Sequence, residues 1–110
     1  MHSLSRFLRA LVAIAFALAI AACSRNDPAS FIASAKSYMT KADYRAAIVQ
    51  LKNAIEGAPS NAEARFLLAK ALFETGDVVG AETELRKAID LKYSPEEAYP
   101  LLARALLMQG

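Results

Sequence analysis

Few residues in this 110-residue chain have side chains suited to making or breaking bonds. His2 is the only histidine and Cys23 the only cysteine. No glycine-rich phosphate loop and no cluster with metal-ligand spacing occurs. Glu82-x-Glu84 and Glu96-Glu97 are carboxylate pairs, but such pairs on helices ordinarily belong to a solvated face. No residue is therefore assigned a catalytic or metal-binding role, and the chain reads as a non-enzyme. A different pattern stands out. Lys36, Lys70 and Arg104 recur at intervals of 34 residues. A stacked basic column flanked by apolar residues could hold an extended peptide or an acidic tail. Its plainer reading is a solvated row of cations.

The same interval runs through the apolar residues. Residues 60–93 form the clearest copy of a unit with a weaker copy on each side. Leu51 falls on Leu85, Ala54-Ile55 on Ala88-Ile89, Asp43 on Asp77 and Ala47 on Ala81. In the other direction Leu68-Ala69 falls on Leu102-Ala103, Ala71-Leu72 on Ala105-Leu106, and Gly76 on Gly110. A fixed period of this length marks stacked helical hairpins. Within residues 62–75, Phe66, Leu68, Ala69, Leu72 and Phe73 have the spacing of an amphipathic helix, as do Val78, Ala81, Leu85, Ala88 and Ile89 within 78–91. Gly76-Asp77 separates the two. Small residues at 69, 81 and 88 let helices approach closely. One such hairpin cannot bury its own apolar face, whereas stacked neighbours bury it together.

The columns Leu68-Ala69, Leu72, Gly76-Asp77, Ala81, Leu85 and Ala88-Ile89 resemble the tetratricopeptide repeat. So do Ala35, Tyr38, Asp43-Tyr44, Ala47, Leu51, Ala54-Ile55 and Pro59 in the preceding copy. The first copy departs from the pattern at Phe31 and Ser34, and the second has Tyr93 where a repeat-ending proline is usual. The resemblance spans about residues 28–110 and implies an all-α, helix-turn-helix solenoid of two full repeats plus one helix. Repeats are expected at 28–61 and 62–95, with the first helix of a truncated third at 96–110. The resemblance also implies that the first helix of each repeat lines a concave groove. By position, that groove would show Ile32, Lys36, Met39, Phe66, Lys70, Phe73, Glu74, Arg104 and Leu107, and its ligand would be a protein or peptide.

Ahead of the repeats lies a different kind of segment. Residues 1–9 carry Arg6 and Arg9, and residues 10–22 are an unbroken run of small and apolar residues, as in a secretory signal. The run is short for a bilayer span, which takes about 20 residues. Ile20-Ala21-Ala22-Cys23 resembles a bacterial lipobox. It implies a lipoprotein signal peptide at 1–22 and a lipidated tether at 23–27, with a diacylglyceryl group on the Cys23 thiol and acylation of the new amino terminus. No other cofactor is expected. Ser24, rather than Asp, follows the cysteine, which favours the outer membrane, facing the periplasm. With Arg6 and Arg9 removed from the thirteen basic residues, eleven remain against eleven acidic ones. That balance offers nucleic acid no basic field.

Local signals complete the expectations. Asn26 or Asp27 can cap a helix starting near Pro28. Ser60-x-x-Glu63 and Ser94-x-x-Glu97 have the form of capping boxes. Pro100 predicts a kink, or a helix start displaced toward Tyr99. Leu101, Leu102, Leu106 and Leu107 would form an apolar edge open to self-association. The lipobox, the short tether and the immediate repeats together resemble the start of the tetratricopeptide lipoproteins of the PEP-CTERM and exosortase system. That resemblance implies a scaffold for exopolysaccharide-associated protein sorting. Alternatives are an assembly lipoprotein for type IV pili or outer-membrane proteins, and the recruitment region of a longer enzyme.

Overall fold

The computed structural model describes residues 2–23 and 27–110, the side chains of His2 and of residues 15–23 being outside the described part. Six helices follow one another: α1 (His2–Cys23), α2 (Pro28–Thr40), α3 (Tyr44–Gly57), α4 (Ala62–Glu74), α5 (Val78–Asp90) and α6 (Pro95–Gln109). No strand occurs among the described residues. From α2 onward each helix packs against the next, and α4 also touches α6. The result is the all-α helical-repeat solenoid that the 34-residue period requires.

The core follows the repeat columns. Ala35, Ala47, Leu51, Leu68 and Ala71 bury one cluster where α2, α3 and α4 meet. Phe66, Ala69, Leu85, Ala88, Ala98 and Leu102 bury its successor among α4, α5 and α6. Leu51 and Leu85, one period apart, are the largest fully buried side chains. Each contributes about 1.5–3 kcal/mol by burial. The alanines around them have no exposed surface. That smallness lets neighbouring axes come to about 8–10 Å.

The turns within hairpins are built alike. After α2, the Asp43 N–H donates to the Tyr38 carbonyl at 2.9 Å; after α4, the Asp77 N–H donates to that of Leu72 at 2.9 Å. Such a bond closes only if the residue before the aspartate is left-handed. Gly76 fills that place with φ 89°, and Ala42 fills it with φ 58°. Each aspartate then caps the next helix: Asp43 Oδ1 accepts from the Ala46 N–H at 3.2 Å, and Asp77 Oδ1 from that of Gly80 at 2.9 Å.

The two turns that end α3 and α5 differ, and one residue explains it. After α5, Lys92 is left-handed at φ 67° and the Tyr93 N–H donates to the Ala88 carbonyl at 2.9 Å. One period earlier the position of Tyr93 is Pro59. Proline has no N–H to give, and it drives the preceding residue out of the helical region. Ala58 accordingly is extended, with φ −143°.

The local signals at the helix starts turn out differently. The cap of α4 is Asn61, whose Oδ1 accepts from the Ala64 N–H at 2.9 Å, so Ser60 and Glu63 form no capping box. Ser94 sits at the N-cap of α6 without a side-chain cap; its hydroxyl donates to Glu96 Oε2 at 2.9 Å, and Glu97 is engaged by Tyr93. The start of α6 is not displaced, since the helix runs from Pro95 through Pro100 to Gln109. The ring of Pro100 faces out, so only one backbone bond is forfeited. At the start of α2, Asp27 is the N-cap residue but makes no side-chain cap bond, and Asn26 lies outside the described residues.

The expected apolar edge is narrower than its sequence. Leu102 is buried and Leu101 packs against the core, while Leu106, Leu107 and Met108 stand exposed. In α1, Leu4, Phe7, Leu8, Leu11, Val12 and Ile14 are all exposed. Among the described residues no helix is long and apolar enough to cross a membrane. The Cys23 side chain, on which lipidation depends, lies outside the described residues.

Candidate functional site: clefts between the first helices

Two clefts open between successive first helices of the hairpins. One, of about 310 Å³, lies between α2 and the start of α4 and is lined by Ala29, Ile32, Ala33, Lys36, Asn61 and Glu63. The other, of about 370 Å³, lies between α4 and α6 and is lined by Phe66, Lys70, Glu97, Pro100, Leu101 and Arg104. They are related by the repeat. Lys36 and Glu63 of the first become Lys70 and Glu97 of the second, and Ile32 becomes Phe66.

The chemistry of the two clefts nevertheless differs. In the first, the Lys36 ammonium is ion-paired with the Glu63 carboxylate. Both side chains are about half exposed, so the pair contributes little to stability, but it leaves that cleft without net charge. In the second, Glu97 accepts a hydrogen bond from the Tyr93 hydroxyl at 2.7 Å. The Tyr93 ring is stacked on Phe66, with centroids 4.3 Å apart and planes 18° from parallel. Burial, and then the bond to Glu97, push the Tyr93 phenol up to about 12, so it stays a donor at neutral pH. Lys70 holds its ammonium 5.7 Å from the centroid of Phe66. Arg104 lies over Phe73 at 4.9 Å. Each cation–π contact is worth about 0.5–1 kcal/mol at an exposed site.

The residues expected in the groove are thus only partly brought together. Lys70, Phe66 and Arg104 line one cleft, with Phe73 beneath the Arg104 guanidinium. Ile32 and Lys36 line the other. Met39 packs half-buried against the core between α2 and α3. Leu107 is 81% exposed, and Glu74 is exposed at the end of α4; neither lines either of these two clefts.

Sequence reasoning passed over Tyr93, Glu63 and Glu97. A signal was present for the glutamates, because they keep the same 34-residue interval as the lysines they accompany. Tyr93 announced itself only as a missing proline.

Outside the clefts, polar contacts fasten one element to another. Arg65 donates to the Pro59 carbonyl through Nε at 3.2 Å and Nη2 at 3.1 Å, and to Glu84 Oε2 through Nη1 at 3.0 Å. Lys87 shares Glu84 at 3.1 Å. Glu82 accepts from Gln109 at 2.7 Å and from Arg86 at 2.8 Å. Both bonds hold its carboxyl below the usual carboxylate range, that from Gln109 most. Each carboxylate of the Glu82-x-Glu84 pair is therefore occupied in joining helices. No group of three or more histidine, cysteine, aspartate or glutamate residues that could hold a metal ion occurs among the described residues.

Stacked hairpins of this kind define a helical-repeat protein. The tetratricopeptide repeat profile matches residues 38–105, most of the chain, and the chain belongs to that family. Repeats of this family generally mediate protein–protein interactions. Comparison with curated proteins gave no match.

Proposed function

We propose that the chain is a membrane-anchored bacterial scaffold whose first-helix face binds an extended segment of another envelope protein. The observation that carries the binding role is the pair of clefts one period apart, between α2 and α4 and between α4 and α6. A row of subsites at a fixed step suits an extended chain, which offers side chains at regular intervals. The polar groups of the clefts are two lysines, an arginine, an asparagine and two glutamates, one in an ion pair and the other held by Tyr93, which suits contact with a polar or charged peptide.

The anchor is read from the Ile20-Ala21-Ala22-Cys23 lipobox. Lipidation of Cys23 would place the repeats just off the membrane on a short tether. Each buried methylene contributes roughly 0.8 kcal/mol, and two or more acyl chains hold stably. Ser24 supports placement in the outer membrane, facing the periplasm. The lipobox followed directly by repeats supports a narrower role in PEP-CTERM-linked protein sorting.

Site-specific photo-crosslinking tests the binding role. A photoreactive residue is placed at Phe73 on α4, or at Val49 or Val79, which are exposed on α3 and α5. The groove position should capture envelope proteins and the other two should not. Capture from Val49 and Val79 alone would refute the assignment of the face. Metabolic labelling with a fatty acid tests the anchor: Cys23→Ala should abolish label, and label retained by that variant would refute lipidation there.

A further inference from the structure

The two clefts share a lysine and a glutamate at matching positions, yet only one is electrically neutral. In the α2–α4 cleft the Lys36–Glu63 ion pair closes on itself. In the α4–α6 cleft the same glutamate column, Glu97, is drawn to the Tyr93 hydroxyl instead. The cause is local and visible. Tyr93 replaces the proline found one period earlier, its N–H closes the turn after α5, and its ring stacks on Phe66. The phenol then reaches Glu97 from the turn. Lys70 is left over the face of Phe66, and Arg104 over that of Phe73; among the described residues neither forms a salt bridge, although Glu97 lines the same cleft. A cation above an aromatic ring keeps most of its charge available on its outer side. The cleft thus presents two cations against one carboxylate, an excess of one positive charge, with Pro100 and Leu101 as apolar walls.

We infer that the α4–α6 cleft is the charge-selecting step of the groove, taking an acidic side chain of an extended partner peptide between Lys70 and Arg104. This inference rests on the proposed peptide-binding role. It assigns the charge preference to one cleft and removes Lys36 from it. Charge complementarity favours the acidic segment: a basic one would meet both cations, and a purely apolar one would leave them without a partner. Arg104 can form a two-pronged contact with a carboxylate, whereas Lys70 acts as a point charge. The preference should weaken with added salt, because both cations are solvent-exposed.

A random twelve-residue peptide library displayed on phage, panned on the full chain in detergent, provides the test. Recovered peptides should be enriched in Asp and Glu. Their affinity should fall at least about tenfold in the Lys70→Met/Arg104→Met double variant, which keeps the apolar stems, and change less than about twofold in Lys36→Met. Lys70→Glu/Arg104→Glu should turn the enrichment toward Lys and Arg. Peptides that crosslink to position 73 but show no acidic enrichment, or lose equal affinity with Lys36→Met, would overturn the charge assignment and leave the scaffold role standing. A library that yields no peptide crosslinking to that position would overturn both. Circular dichroism of the methionine variants should match the parent, since neither cation is buried; reduced helix would overturn the claim that these residues act on the ligand and not on the fold.

Discussion

The left-handed residue at Ala42 can be tested as a matter of energy. Ala42 and Gly76 hold the same place in successive hairpins, with φ 58° and 89° and with matching turn hydrogen bonds of 2.9 Å. A Cβ in the left-handed region costs about 1–2 kcal/mol, from its approach to the following carbonyl. Glycine avoids that cost but loses about 0.5–1 kcal/mol more conformational freedom on folding. The difference predicts that Ala42→Gly stabilises the array by about 0.5–1 kcal/mol. Gly76→Ala should destabilise it by a similar amount. A Cβ built at Gly76 has no neighbour within 4 Å, so that loss is purely one of backbone conformation. Urea denaturation of residues 27–110, followed by far-ultraviolet circular dichroism, resolves such changes. The midpoints should move in opposite directions at unchanged slope. In a domain of this size 1 kcal/mol corresponds to roughly 4–8 °C of melting temperature. If Ala42→Gly were neutral or destabilising while Gly76→Ala cost its full amount, the two turns would not be equivalent and the reasoning would fail.

Other outcomes follow from the packing. Leu85→Ala should cost about 2.7–5 kcal/mol and leave little cooperative unfolding, because the site is fully buried; a melt like that of the parent would contradict the core assignment. Arg65→Met should cost about 1–3 kcal/mol through loss of charged hydrogen bonds to Pro59 and Glu84; a calorimetric shift absent from this variant would dismiss the clamp. Tyr93 is raised from 10.0 to about 12 by burial first and Glu97 second. Its contribution to stability should be complete below the unfolded value and lost as pH rises through about 12. Ultraviolet titration should show one late tyrosinate step that Tyr93→Phe removes and Glu97→Gln shifts downward. A titration curve with no such step would refute the burial of the phenol.

The repeat made most of the fold legible. Columns such as Leu51 and Leu85, Asp43 and Asp77 translate directly into buried leucines and capping aspartates, because each hairpin solves the same packing problem. Competition at the helix starts was harder to read. Ser60 and Asn61 both suit an N-cap, and position relative to the first turn decided for Asn61. Glu63 and Glu97 were ambiguous for a related reason. A glutamate three residues after a serine satisfies the capping spacing, yet its long side chain also reaches across a cleft. Lys36 drew one and the Tyr93 hydroxyl the other. That outcome depends on ring stacking between distant residues, which no local pattern encodes. Leu101 and Leu102 showed the same limit: helix periodicity marks them as apolar but does not say which neighbour covers them.

The order of packing along the chain has a kinetic consequence. α4 is touched by α3, α5 and α6, whereas α6 rests on α5 with lesser contact to α4. Columns that are buried at Ala69 and half-buried at Leu72 and Phe73 in α4 recur in α6 as Ala103, Leu106 and Leu107, and there they lie open. Amide protons of α6 should therefore exchange with deuterium before those of α4. The α4–α6 cleft spans this boundary. A peptide bridging Lys70 and Arg104 would tie the more open helix to the better covered one, and slowed exchange in α6 would report its arrival.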